Sequence, residues 1–144
     1  MSKSVTSDPV PRLRAPVIAW QLAQTFWVGG LWLLHFVLLP ALGKIGLAPL
    51  LIQEVANGLR PLLVGFAVAC VLLQGMSLII ALGVRALWRD VRGQLLLAVL
   101  LLALSYFVAR AGWLVSEYWQ MFSYLAMACC GLLLVVQSPP EARR

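Results

Sequence analysis

Four stretches of this chain carry no charged side chain: residues 15–43, 61–84, 93–109 and 118–140. An α-helix rises about 1.5 Å per residue, so roughly 20 apolar residues reach across the ~30 Å hydrocarbon layer of a bilayer. All but 93–109 meet that length as they stand. That interval meets it once Arg110 carries its charge outward on a long flexible stem, so that the helix runs on through Ala111 or Gly112. Composition agrees, because 62% hydrophobic and 11% charged residues, with a mean hydropathy of +0.94, exceed what a water-soluble core absorbs. Runs such as LLVGFAVACVLL and LLLAVLLLAL do not alternate polar with apolar, as barrel strands do. Without water to satisfy the backbone they must be helical. The expected fold is all-α: a polytopic membrane protein built as an antiparallel bundle of four transmembrane helices.

The divisions follow. Residues 1–15, with Pro9 and Pro11 among small polar residues and Pro16 just beyond, read as a flexible tail. Residues 16–137 form one transmembrane domain, and 138–144 a second short tail after the stop signal Ser138-Pro139-Pro140. A cleaved signal peptide is disfavoured, since its apolar region would be far shorter than the interval 15–43. Lys3, Arg12, Arg14, Arg85, Arg89, Arg92, Arg143 and Arg144 fall on one side of a four-span layout, whereas Lys44, Arg60 and Arg110 fall on the other. The positive-inside rule then puts both termini in the cytoplasm. The net charge of +6 is therefore topological, its partner is the lipid bilayer, and no nucleic acid is implied. Trp20 and Trp88 fall near the inner interface, Trp113 and Trp119 near the outer one.

Helix one, about 16–42, is close to 40 Å long if straight, so it should tilt or bend, with Gly29-Gly30 the expected bending or close-packing point. Pro61 suits the first position of helix two, where a missing N–H costs nothing. Helices three and four read as 91–112 and 118–137. Between helices one and two, PLLIQEVANGLR sets Leu51, Ile52, Val55 and Leu59 on one face and Gln53, Glu54, Asn57 and Arg60 on the other. This describes a short amphipathic helix in the outer interface, either a connector on lipid or a lid over a cavity. Gly65 and Ala69 form a small-xxx-small pair suited to helix packing.

The chemistry-bearing residues gather on particular faces. Gln21, Gln24, Thr25, Trp32 and His35 fall within an arc of about 100° on helix one, a face that should look into the bundle. Helix four offers Glu117, Gln120, Met121 and Tyr124, and helix three Ser105, Tyr106 and Arg110. These place polarity in the outer half of the bundle. They suggest an outward-facing polar pocket with His35 at its floor and an Arg110–Glu117 pair at its rim. Two readings of the seam stand: a solute or proton site, or hydrogen bonds that lock helices together at about 0.6 kcal/mol apiece. His35, Cys70, Met121, Met127 and Cys130 would suit a soft metal only if they converged, and no zinc-type spacing exists, so no metal site is assigned. Every carboxylate lies outside the four intervals, and no nucleophile, phosphate-loop or HExxH motif appears. The expectation is a non-enzymatic protein without a cofactor.

WVGGLWLLHFVLLPAL, residues 27–42, resembles the first-helix pattern of a family of small bacterial four-helix membrane proteins of unknown function, related to the transmembrane-protein-205-like group. The matching residues are Trp27, Gly29, Gly30, Pro40 and Ala41. The resemblance implies a multi-pass protein of a bacterial inner membrane with no established catalytic set. It also implies kinship with eukaryotic proteins linked to export, and the pattern is similar to that of copper-resistance membrane proteins, although this chain has one histidine where those use several. Two functions are open: a small transport or solute- and metal-tolerance protein, or an accessory subunit of a homo-oligomer or larger membrane complex.

Overall fold

The computed structural model describes residues 14–112 and 117–137. The sequence-assigned tails before residue 14 and after 137, and the turn around Trp113, lie outside the described residues. In chain order the helices are α1 (Arg14–Trp32), a π-helical stretch (Leu33–Leu38), α2 (Leu39–Lys44), α3 (Pro49–Leu82), α4 (Val84–Arg89), α5 (Val91–Arg110) and α6 (Glu117–Val136). Four helical units are long and apolar enough to cross a membrane: Val17–Lys44, Pro49–Leu82, Val91–Arg110 and Glu117–Val136. No strand occurs among the described residues. The units close into a ring in which α1 packs on α3, α3 on α5, α5 on α6 and α6 on α1.

Glycines and prolines set the boundaries. Beyond α2, Gly46 takes φ +86°, and the Leu47 and Gly46 amides bond back to the Leu42 and Gly43 carbonyls, a Schellman closure. Pro49 opens α3, where its missing N–H costs nothing. At φ +83°, Gly83 turns the chain from α3 into α4.

Two expectations need correction here. The amphipathic segment is not a separate helix: it is the first part of α3, and Pro61 lies inside that helix. Proline within a helix leaves the carbonyl four residues earlier without its donor, and in a membrane protein a neighbouring helix can supply one. The orphan is the Asn57 carbonyl, and Arg110 of α5 donates to it at 3.1 Å. Nor does the backbone irregularity of the first span fall at Gly29-Gly30, which lie in regular α-helix. It falls at Leu33–Leu38, just before Pro40, where the Leu39 amide reaches back to the Leu34 carbonyl. Pro40 has no N–H for the Phe36 carbonyl and crowds it, and a wider turn accommodates both defects.

Large apolar side chains point in both directions. Trp27, Leu31, Val64, Val71, Val99 and Met127 are buried at the centre of the ring. Phe26, Leu62, Leu104 and Phe122 are 65%, 67%, 61% and 61% exposed, an outward apolar surface that water would not tolerate and lipid matches. Hydrogen bonds then fasten neighbours: Trp32 Nε1 donates to the Ala128 carbonyl at 3.2 Å, the Tyr124 hydroxyl to the Leu31 carbonyl at 2.8 Å, and Gln74 Nε2 to the Trp20 carbonyl at 3.2 Å. Gln74 is buried.

The tightest helix approaches occur at glycines beyond those expected. Gly65 and Ala69 lie on the exposed side of α3, and a Cβ on Gly65 would meet nothing within 4 Å among the described residues. They pack no other helix among the described residues. Gly29 is open in the same sense, while Gly30 faces Leu63 at 3.3 Å. The tight positions are Gly131, where a Cβ would lie 2.7 Å from Val28 and 2.8 Å from Trp27, and Gly93, where it would lie 2.5 Å from the Leu87 backbone.

Candidate functional site

Among the described residues, a cavity opens at each end of α6. The first, about 380 Å³, lies between α2, the first turns of α3 and the start of α6, and is lined by Leu39, Pro49, Ile52, Gln53, Ala56, Arg60, Glu117, Tyr118 and Met121. The helical period explains the α3 wall: residues 49, 52, 53, 56 and 60 recur at spacings of three and four and so share one face. The charged groups are Arg60, half-buried on α3, and Glu117 in the first turn of α6, where the helix dipole favours an anion. Gln53 Nε2 donates to Glu117 Oε1 at 3.1 Å and so orients that carboxylate.

The lining of this cavity differs from that of the pocket expected from sequence. Glu117 and Met121 line it, but His35 does not form its floor. Arg110 and Glu117 do not pair among the described residues, for Arg110 serves the Asn57 carbonyl and Glu117 takes Gln53. His35 sits half-buried in the π-helical stretch, edge-on to Phe36 with ring centres 5.0 Å apart and 6.1 Å from the Tyr124 ring. Its Nδ1 is buried with no hydrogen-bond partner among the described residues. Tyr124 locks α6 to α1, Ser105 meets Ser123 across α5 and α6 at 3.1 Å, and Tyr106 is buried beside Arg110. Gln120 is half-buried on α6 and lines neither cavity. Sequence reading missed buried Ser123, and it set Gln53 and Arg60 on the polar face of the interfacial segment without assigning them to a pocket. The legible signal for Arg60 was its place as the last charge before 61–84, in step with Gln53 on the helical wheel.

The second cavity, about 470 Å³, is lined by Trp20, Gln21, Gln24, Thr25, Val135, Val136 and Gln137. The polar arc of helix one is thus divided. Gln21, Gln24 and Thr25 serve this end, Trp32 bonds α6 midway, and His35 lies towards the other. Thr25 Oγ1 donates to the Gln21 carbonyl at 2.8 Å. Between the cavities the bundle is closed by Trp27, Leu31, Val64, Tyr106, Tyr124 and Met127, none more than 1% exposed.

The soft-ligand candidates do not gather. Met121 lines the first cavity without His35, Cys70 or Cys130, and no group of three His, Cys, Asp or Glu side chains suited to a metal stands together among the described residues. Compared with models of protein families, with curated proteins and with solved structures, the chain matches none.

Proposed function

We propose that this chain is a non-enzymatic inner-membrane protein of a bacterium that handles a small solute at the Arg60–Gln53–Glu117 cavity. In this reading the four spans run antiparallel, both termini are cytoplasmic, and the cavity opens outward. The asymmetry of Lys and Arg supports the orientation, and the first-helix resemblance supports the bacterial setting. The observation that carries the solute assignment is one cation and one anion, the latter held by an amide, facing a cavity of about 380 Å³ in a chain otherwise nearly free of charge at membrane depth. That size is within the range of small-molecule sites. Paired opposite charges complement a small zwitterion, its anionic group towards Arg60 and its cationic group towards Glu117. Passage across the membrane would require the closed centre to rearrange, and the π-helical stretch is the irregular element in that region.

Purified protein melted against a panel of amino acids and betaines should be stabilised by at least one zwitterion, by about 2.7 kcal/mol at a hundredfold excess over Kd. Arg60→Gln and Glu117→Gln should each remove that shift, and His35→Ala should keep it. A panel that shifts nothing, or a shift that survives both charge substitutions, contradicts the assignment.

The second reading, an accessory subunit or homo-oligomer, rests on the exposed small-residue side of α3. Gly65 has open space beside it, with Leu62 and Phe66 exposed alongside. Co-purification of a partner that is lost on Gly65→Trp would favour it.

A further inference from the structure

The second cavity contains a buried amide with nothing to bond. Gln24 is 5% exposed, it lines the cavity, and its Nε2 has no hydrogen-bond partner among the described residues. On the opposite wall, buried Oε1 of Gln137 is likewise without a partner among them. A buried amide left unsatisfied costs more than a made hydrogen bond contributes. Trp27, His35 and Gln74 also hold buried polar atoms without partners among the described residues, but Gln24 and Gln137 are the two that line this cavity and so can be met from outside the fold. The lining also says by what. Trp20, Gln21, Gln24, Thr25, Val135, Val136 and Gln137 carry no charge, so among the described residues a phosphate would find no cation there and an amine no carboxylate. A hydroxyl group both donates and accepts, and so can accept from Gln24 Nε2 and donate to Gln137 Oε1 at once.

Depth separates a lipid from a free solute. Asn57 and Gln74 of α3 are level with Arg110 and Trp20 through their hydrogen bonds, and the helix rises roughly 26 Å between them at 1.5 Å per residue. That is close to the hydrocarbon thickness, so the cavity beside Trp20 sits at the level of lipid glycerol. Val135 and Val136, both exposed, give its mouth an apolar lip. We propose that this cavity is a binding site for the free hydroxyl of a neutral glycerolipid of the diacylglycerol type, with Gln24 and Gln137 as its hydrogen-bonding partners. The site is independent of the solute cavity at the other end of α6.

The test uses the full chain in phosphatidylcholine nanodiscs containing a photoactivatable diazirine diacylglycerol, with adducts located by mass spectrometry. Adducts are expected on the peptide around Trp20–Thr25 and on the end of α6, and unlabelled diacylglycerol should compete them away. Gln24→Leu should cut labelling about five-fold, the worth of one neutral hydrogen bond, without lowering the melting temperature, because it removes an unsatisfied buried group. Val136→Trp, at a position 78% exposed, should block the mouth without touching the core and cut labelling as well. Adducts spread evenly over the lipid-facing surface, or labelling indifferent to both substitutions, would overturn the proposal. Protection by glycerol at the same molar excess as diacylglycerol would assign the cavity to a free polyol and overturn the lipid assignment.

Discussion

Gly93→Ala is expected to destabilise the protein by about 3 kcal/mol, at the upper end of overpacking effects. An added Cβ would stand 2.5 Å from the Leu87 Cα, 2.6 Å from the Leu87 carbonyl oxygen and 2.8 Å from the Ala86 carbonyl oxygen. These are backbone atoms, so no side-chain rotation relieves the clash. The short helix α4 must lift from α5, which breaks the bond from Gln94 Nε2 to the Trp88 carbonyl at 3.0 Å. Gly65→Ala is the matched control: open space surrounds that position, and alanine's higher helix propensity makes the change neutral or stabilising by up to about 1 kcal/mol. Reversible unfolding in mixed micelles, run on both variants, checks the contrast. Equal stabilities would show that the α4–α5 corner is not packed as described.

Gly131→Leu is expected to separate α6 from α1. The position is buried, and the first added carbon already lies within 3 Å of Val28 Cγ2 and two ring atoms of Trp27. Trp27 is 1% exposed and has no free volume to enter, so the helices must move apart. The two bonds that cross this interface, Trp32 to the Ala128 carbonyl and Tyr124 to the Leu31 carbonyl, then fail together. Each is worth about 0.6 kcal/mol in a membrane protein, and overpacking adds roughly 1–3 kcal/mol. Tyr124→Phe, which loses one bond and keeps the volume, should cost only the smaller amount. Melting of the three proteins in one detergent orders them wild type, Tyr124→Phe, Gly131→Leu, and any other order contradicts this interface.

The contrast between the expected and observed glycines shows what a sequence can disclose. The four spans were legible because charge is excluded from hydrocarbon along the whole length of a helix, a property of composition. Gly93 and Gly131 were not, since nothing in their own neighbourhoods shows which backbone or indole ring approaches them. Pro61 misled for a related reason. Proline at a helix start and proline inside a membrane helix look alike locally, and the difference lies in Arg110, distant in sequence, which meets the freed Asn57 carbonyl. At the candidate site, the periodicity of PLLIQEVANGLR set Gln53 and Arg60 on one face, and both line the cavity together with Glu117 and Met121. His35 drew attention as the chain's sole histidine, but its position depends on the π-helical stretch, which displaces the register of the polar arc by an amount that no regular helical wheel contains.

Solute handling at the Arg60–Gln53–Glu117 site requires that the first cavity be water-filled and open to the outside. Met121 lines it, whereas the adjacent Phe122 is 61% exposed on the outward apolar surface. In a background with Cys70, Cys129 and Cys130 replaced, Met121→Cys should react in intact cells with a membrane-impermeant maleimide, and Phe122→Cys should not. Reaction of Met121→Cys only after the cytoplasmic side is exposed, or equal reactivity at both positions, would contradict it.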